Sequence, residues 1–257
     1  MLGHVQLIMH IPSYIMIIKR VYDIIFPAGK ILQDMDKKHK FNDTNANKRS
    51  TSPSFVDILA TFGVLCWMFM IKYLLDFLGI YGEIAFFLLI PLSALSHLIG
   101  EMNEFAKNEE SNQRKFPTSR IIEIFLLQII YIGITFFSFR GFIGHTVLAN
   151  TVAEDIGWII GSPFQYELAV YHLGMGVIGM VSLWKRDSIW IGLVYAKSIF
   201  LFGAAGVHIW DIIANQNFSH GNFGTILFLN DLILPITAIV MLHLHLKFQK
   251  KTKTAIK

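Results

Sequence analysis

Lysine and arginine are confined to a few places in this chain. Nineteen of the 22 fall in four stretches, Lys19–Arg49, Lys107–Arg120, Lys185–Arg186 and Lys247–Lys257. Six long apolar segments run between these stretches, and the three short connections left over hold neither residue. Basic loops are retained on the cytoplasmic side of a membrane, so this alternation is the positive-inside pattern of a multi-pass protein. It predicts an all-α fold of six transmembrane helices in the cell (inner) membrane, with both termini cytoplasmic.

Composition agrees. Of 257 residues 54% are hydrophobic and only 16% charged, against about 25% charged in a soluble domain, so lipid must solvate much of the surface. The net charge of +4 does not point to nucleic acid. The basic residues flank apolar spans, where anionic headgroups attract them, and membrane lipids are the partner expected. A homo-oligomer and a small-molecule or ion ligand are both compatible with this pattern. The single cysteine, Cys66, excludes an internal disulfide and a cysteine-only metal site.

Residues Leu2–Ile18 are apolar, interrupted by Pro12 and followed at once by Lys19, Arg20 and Asp23. A cleavable signal has the reverse order, basic residues first. Extended to Phe26, the stretch reads as an amphipathic helix along the inner face, anchored by Tyr14, Tyr22 and Lys19; a seventh span is the alternative. Residues 1–53 thus form this helix and a polar linker, Gly29–Pro53. The transmembrane domain covers 54–247, and 248–257 is a basic tail.

The spans are Phe55–Gly79, Ile84–Ile99, Arg120 to about Leu148, Phe164–Leu183, Ile189–Ile213 and Phe223–Leu246. Pro91 should kink the second. A polar loop, Glu101–Ser119, follows, and Thr118-Ser119 with Glu123 offers an N-cap for the third. The third exceeds the roughly 20 residues a bilayer needs, so it should tilt or break near Gly141/Gly144. The loop Ala149–Pro163 carries Glu154 and Asp155 and no base, as an exterior loop should.

Topology assigns a depth to each ionisable group. His145, Glu154, Glu167, His172, His208, Asp211 and Asp231 all fall in the outer half or just above it. Charges in a span are costly and usually face the bundle interior or a water cavity. On the fifth span Lys197, Ala204, His208 and Asp211 form one stripe, and on the fourth Glu167, Tyr171 and Gly174 form another. Pro235 lies four residues after Asp231 and frees its carbonyl from the helical ladder. These placements predict an outward-opening pocket of His145, Glu167, His208 and Asp231, with Asp211 and Glu154 at its mouth. Lys197 either snorkels inward or pairs with an acid in the bundle. The same four residues have the ligand types of a zinc, iron or manganese site. The plainer reading is interfacial residues and helix-packing hydrogen bonds.

Gly174-Met-Gly176-Val-Ile-Gly179 has the letters of a dinucleotide fingerprint but lacks its strand. Gly176/Gly179 and Gly203-Ala-Ala-Gly206 are better read as helix contact faces. His243 and His245 point about 200° apart on a helix and cannot share a metal. Lys72 and Asp76 are spaced as an ion pair near the outer interface. Trp158, Trp184, Trp190 and Trp210 fall near predicted boundaries, as an aromatic belt would.

The stretch Arg140–Gln165, RGFIGHTVLANTVAEDIGWIIGSPFQ, runs on into Tyr166-Glu167 and HLGMGVIGM. With FLFGAAGVHIWD and GNFGTILFLNDLILP it resembles an uncharacterised bacterial inner-membrane family, a domain of unknown function. The resemblance covers about Arg120–Leu246 and rests on Gly144-His145, Val152-Ala153-Glu154, Ile156-Gly157-Trp158 and Ser162–Glu167, with His208 and Asp231 also matching. His172 departs from the pattern. A four-helix membrane unit is what the resemblance implies; it brings no reaction.

Three functions fit the residues. Transport or conduction of a small solute or ion would use intramembrane acids and a proline-broken helix. A membrane enzyme on a lipid or quinone-like substrate would use histidine and carboxylate as acid and base. A non-catalytic partner or sensor needs neither. Transport is the working expectation, and the sequence names no cofactor.

Overall fold

The computed structural model describes residues 82–107 and 116–255. The expectations for the N-terminal helix, the linker, the first span, Cys66, Lys72 and Asp76 fall outside those residues. Among the described residues the chain is entirely helical. Helix α1 is Gly82–Lys107, α2 Thr118–Gly144, α3 Ala149–Ile156, α4 Phe164–Val181 and α5 Asp187–Asn215. The last, α6, is a π-helical segment, Ile226–Ile233, that runs on into Leu234–Ala255.

Among the described residues three helices are long and apolar enough to cross a membrane: α2, the Ser188–Asn215 part of α5, and Ile226–Lys250 of α6. The apolar part of α1 is shorter, Phe87–Asn103, and α4 has 18 residues. Helix α2 is the centre of the bundle and packs against α1, α4, α5 and α6. Its apolar window is 78% buried, against 39% for α5 and 33% for α6. The outer helices turn Val170, Ile199, Ile213 and Ile236 outward, each at least half exposed. Apolar side chains presented this way over long helices are what a lipid-solvated surface requires, and they support a membrane protein.

Several boundaries differ from the hydropathy reading. Helix α1 continues through polar residues to Lys107, because Glu101 is held by Arg120 and does not need a loop to reach water. Helix α2 starts behind Pro117, in extended conformation, with no side-chain cap. The expected Thr118/Ser119 N-cap does not form, and Glu123 is engaged by Arg120 and Arg186. The predicted exterior loop contains α3. Helix α2 widens into a π-helix over Ile129–Phe136 and stops at Gly144, the second of the two glycines where a break was expected.

The second π segment has a covalent reason. Pro235 lacks the N–H that would close a bond to Asp231 in an α-helix or to Asn230 in a π-helix. Close approaches fix the crossings. A Cβ on Gly133 would lie 2.6 Å from a Leu234 methyl, and one on Gly176 3.1 Å from the Phe139 ring. Gly179 opens directly onto Thr135. Gly176/Gly179 are therefore a contact face of α4 with α2. Gly203 and Gly206 are not one among the described residues, where nothing lies within 4 Å of a Cβ on either.

Candidate functional site

The polar residues of the bundle separate into two groups at opposite ends of the long helices. The first is built from α4, α5 and α6. Helix α4 buries Gln165, Ala169, His172, Gly176 and Gly179, a face repeating at fours and threes. Its outermost polar member, Gln165, turns Oε1 to His145 Nδ1 at 2.5 Å, just past the end of α2. The His145 and His172 rings stack with centroids 5.4 Å apart. His172 lies against Gly141, where a Cβ would come within 2.6 Å of the imidazole; only glycine leaves room for the ring.

From His172 the contacts run to α5. Lys197 Nζ lies 3.4 Å from His172 Nδ1 and over the rings of Tyr171 and Phe200, at 5.7 and 5.4 Å. Lys197 is 1% exposed, so its ammonium is solvated by protein alone. The acid whose charge reaches it is Asp231 on the π segment of α6, itself 2% exposed. Asp231 Oδ1 accepts from Asn230 Nδ2 at 2.7 Å, and Oδ2 lies 3.8 Å from His208 Nε2. Lys197 and His208 are eleven residues apart, a rise of about 16 Å, so they bracket Asp231 along α5.

His208 is held from outside by two loops. Helix α3 ends at Gly157 in the left-handed region (φ 81°). Gly157 N donates to Glu154 O at 3.0 Å and Trp158 N to Ala153 O at 2.8 Å, the paired bonds of a glycine-terminated helix end. That turn lays Trp158 flat on His208, centroids 5.6 Å apart and planes 14° apart, with Nε1 donating to Asp211 Oδ2 at 3.2 Å. In the 216–222 loop, Asn217 Nδ2 donates to Ile156 O and to Asp211 Oδ2. Gly221 N donates to Asp155 O at 3.0 Å. Asn222, wholly buried, gives Nδ2 to Asn217 O at 2.7 Å and presents Oδ1 to His208 Nδ1 at 2.7 Å. An amide oxygen only accepts, so His208 Nδ1 carries the hydrogen and Nε2 faces Asp231.

His145, Lys197, His208 and Asp231 thus line one column, half-buried at His145 and buried at the other three. Within it Lys197 and Asp231 are linked by charge and not by contact, and Asp211 ties the loops over it. Glu154 and Glu167 are exposed and stand apart from it, because each lies near a helix end where water solvates a carboxylate more cheaply than the interior does. Among the described residues no three His, Cys, Asp or Glu side chains converge on a point a metal could occupy. His172, Gln165, Asn222 and Trp158 also belong to the column, outside the expected pocket, as does Tyr171 from the expected fourth-span stripe. A signal was there: stepping back by sevens from Gly179 on the expected glycine face gives His172 and then Gln165.

The second group lies at the other end, where α2 begins and α4 meets α5. Arg120 Nε donates to Glu101 Oε2 at 2.9 Å, and its Nη2 grips the other carboxylate oxygen. Glu123 takes Nη1 of both Arg120 and Arg186, each at 2.9 Å. Ser93 donates to Gln128 at 2.7 Å, Gln128 meets His97 at 3.3 Å, and His97 lies 3.6 Å from Glu101. Arg186 covers Trp190, whose Nε1 bonds Ser182 O at 2.9 Å. Trp158 and Trp190 are therefore structural hydrogen-bond donors, whereas Trp210 is 68% exposed.

No curated protein and no solved structure matches the chain. The model of a family of unknown function, DUF6790, matches residues 85–251, which include both polar groups and reach back almost to the start of α1. That is more than half of the 257 residues; the chain belongs to this family of unknown function.

Proposed function

We propose that this protein is a multi-pass membrane transporter of a small solute or ion, with both termini cytoplasmic, working through the His145–His172–Lys197–Asp231–His208 column. One observation carries the reading: Lys197 and Asp231 are almost fully buried in two helices apolar enough to cross a membrane. Ionisable groups at that depth are expensive and mark ion or solute paths. The π segment ahead of Pro235 supplies irregular backbone beside the acid, as broken helices do in transporters. The Glu101–Arg120–Glu123–Arg186 network supports a closed cytoplasmic end, and the column then faces outward.

The test is charge movement in proteoliposomes adsorbed to a solid-supported membrane. Concentration jumps of alkali cations, ammonium, small carboxylates and small amines are applied in turn. At least one class should evoke a current that Asp231→Asn abolishes while the variant stays monodisperse. No current from any class would overturn the reading.

A further inference from the structure

The column also indicates which ion it takes up. Because Asn222 fixes the hydrogen on His208 Nδ1, neutral His208 points the Nε2 lone pair at Asp231 Oδ2, 3.8 Å away. An ionised Asp231 then faces a second acceptor, an unfavourable contact that one proton relieves by letting the 3.8 Å gap close into an N–H···O or O–H···N bond. We infer that Asp231 and His208 form a proton-loading site. A proton that arrives at Nε2 makes the ring cationic. Transfer to Asp231 breaks that N–H bond, forms an O–H bond on Oδ2, and returns His208 to neutrality.

The shell around Asp231 suits a proton better than a metal cation. Calcium and magnesium need about six oxygen ligands. Asp231 is met by the Asn230 amide N–H and the His208 ring nitrogen, and the Lys197 charge reaches it without contact. A transition metal would find only His208 and Asp231, since among the described residues no three His, Cys, Asp or Glu side chains converge; a proton needs no third ligand. The other groups that bear on the site are His172 and Tyr171 from α4, around Lys197. Arg140 and His145 at the end of α2 act more remotely. Asp211 lies beyond His208 on α5, joined to it through Trp158.

This inference deepens the transport reading and rests on it for one consequence, that the loaded proton is carried across; loading itself is read separately. Infrared difference spectra of the full-length protein in lipid, between about pH 5 and about pH 8, should show a carboxylic acid C=O band that grows on acidification. The band should vanish in Asp231→Asn and persist, shifted, in Asp231→Glu. Imidazole bands that change with it should vanish in His208→Gln. A wild-type protein without the band, or Asp231→Asn that keeps it, overturns the inference. The wild-type and Asp231→Glu spectra decide the matter even where Asp231→Asn does not fold. A titrating Asp231 with no flux in vesicles overturns the transport reading and leaves the loading site standing. Flux with no titrating Asp231 does the reverse.

Discussion

Replacing Lys197 by methionine separates two sources of stability that the structure places on one side chain. The ammonium lies over Tyr171 and Phe200 at 5.7 and 5.4 Å, inside the range of cation–π attraction, worth about 0.5–2 kcal/mol per ring. That loss follows whatever happens at Asp231. The second source is the charge at Asp231. Asp231 is 2% exposed and keeps Asn230 and His208 beside it. The Lys197 charge reaches it without a direct ion pair, so losing that charge costs less than the roughly 3–5 kcal/mol of a broken buried pair. Lys197→Met should therefore destabilise by about 1–4 kcal/mol from the two rings, plus whatever compensation Asp231 loses. Asp231→Asn removes that charge, so Lys197→Met/Asp231→Asn should recover about 0.5–3 kcal/mol as a coupling energy. The assay is reversible unfolding in mild detergent, followed by tryptophan fluorescence across all four proteins of the cycle. If the two single losses simply add, Lys197 and Asp231 do not compensate each other and the reasoning about the column is wrong.

Gly141→Ala should cost about 1–3 kcal/mol by overpacking, since its Cβ would meet the His172 ring at 2.6 Å. Gly174→Ala, with nothing within 4 Å of its Cβ among the described residues, should be neutral or stabilise by up to about 1 kcal/mol; thermal unfolding compares the two. Asn222→Ala leaves the His208 Nδ1 hydrogen and the Asn217 carbonyl without partners, at about 1–3 kcal/mol each, and hydrogen exchange should quicken in the 216–222 loop. Arg120→Ala removes the two-pronged partner of Glu101 and one of the two arginines on Glu123, whose side chains are 10% and 24% exposed. It should cost about 3–5 kcal/mol, whereas an exposed basic residue such as Lys247 should change stability by less than about 0.5 kcal/mol.

Periodicity and charge segregation carried most of the helices into view, because both are written along the chain. The ends of α4 and α5 fall within two residues of the expected ones. The extension of α1 to Lys107 was hidden, since it depends on Arg120 reaching across to Glu101. The α5 stripe of Lys197, Ala204, His208 and Asp211 can be counted directly at steps of seven, four and three. On α4 the acid Glu167 drew the register to the wrong face, whereas the buried face is the one that ends in Gly176 and Gly179. Helical spacing says which residues share a face and leaves open which face turns inward; close packing decides that, and Gly179 against Thr135 is where it is decided. Neither π segment was legible, although Pro235 marked one of them. The Arg120 network was missed for another reason: basic residues at a helix start were read only as topology, and their pairing across three helices leaves no local pattern.

Impermeant thiol labelling on intact cells tests the membrane placement on which the account rests. In a Cys66→Ser background, Glu154→Cys and His220→Cys should label from outside, and Lys185→Cys and Lys247→Cys only after the membrane is opened. External labelling of Lys185→Cys together with protection of Glu154→Cys would invert the column and contradict its outward orientation; labelling of all four without permeabilisation would remove the membrane crossing altogether.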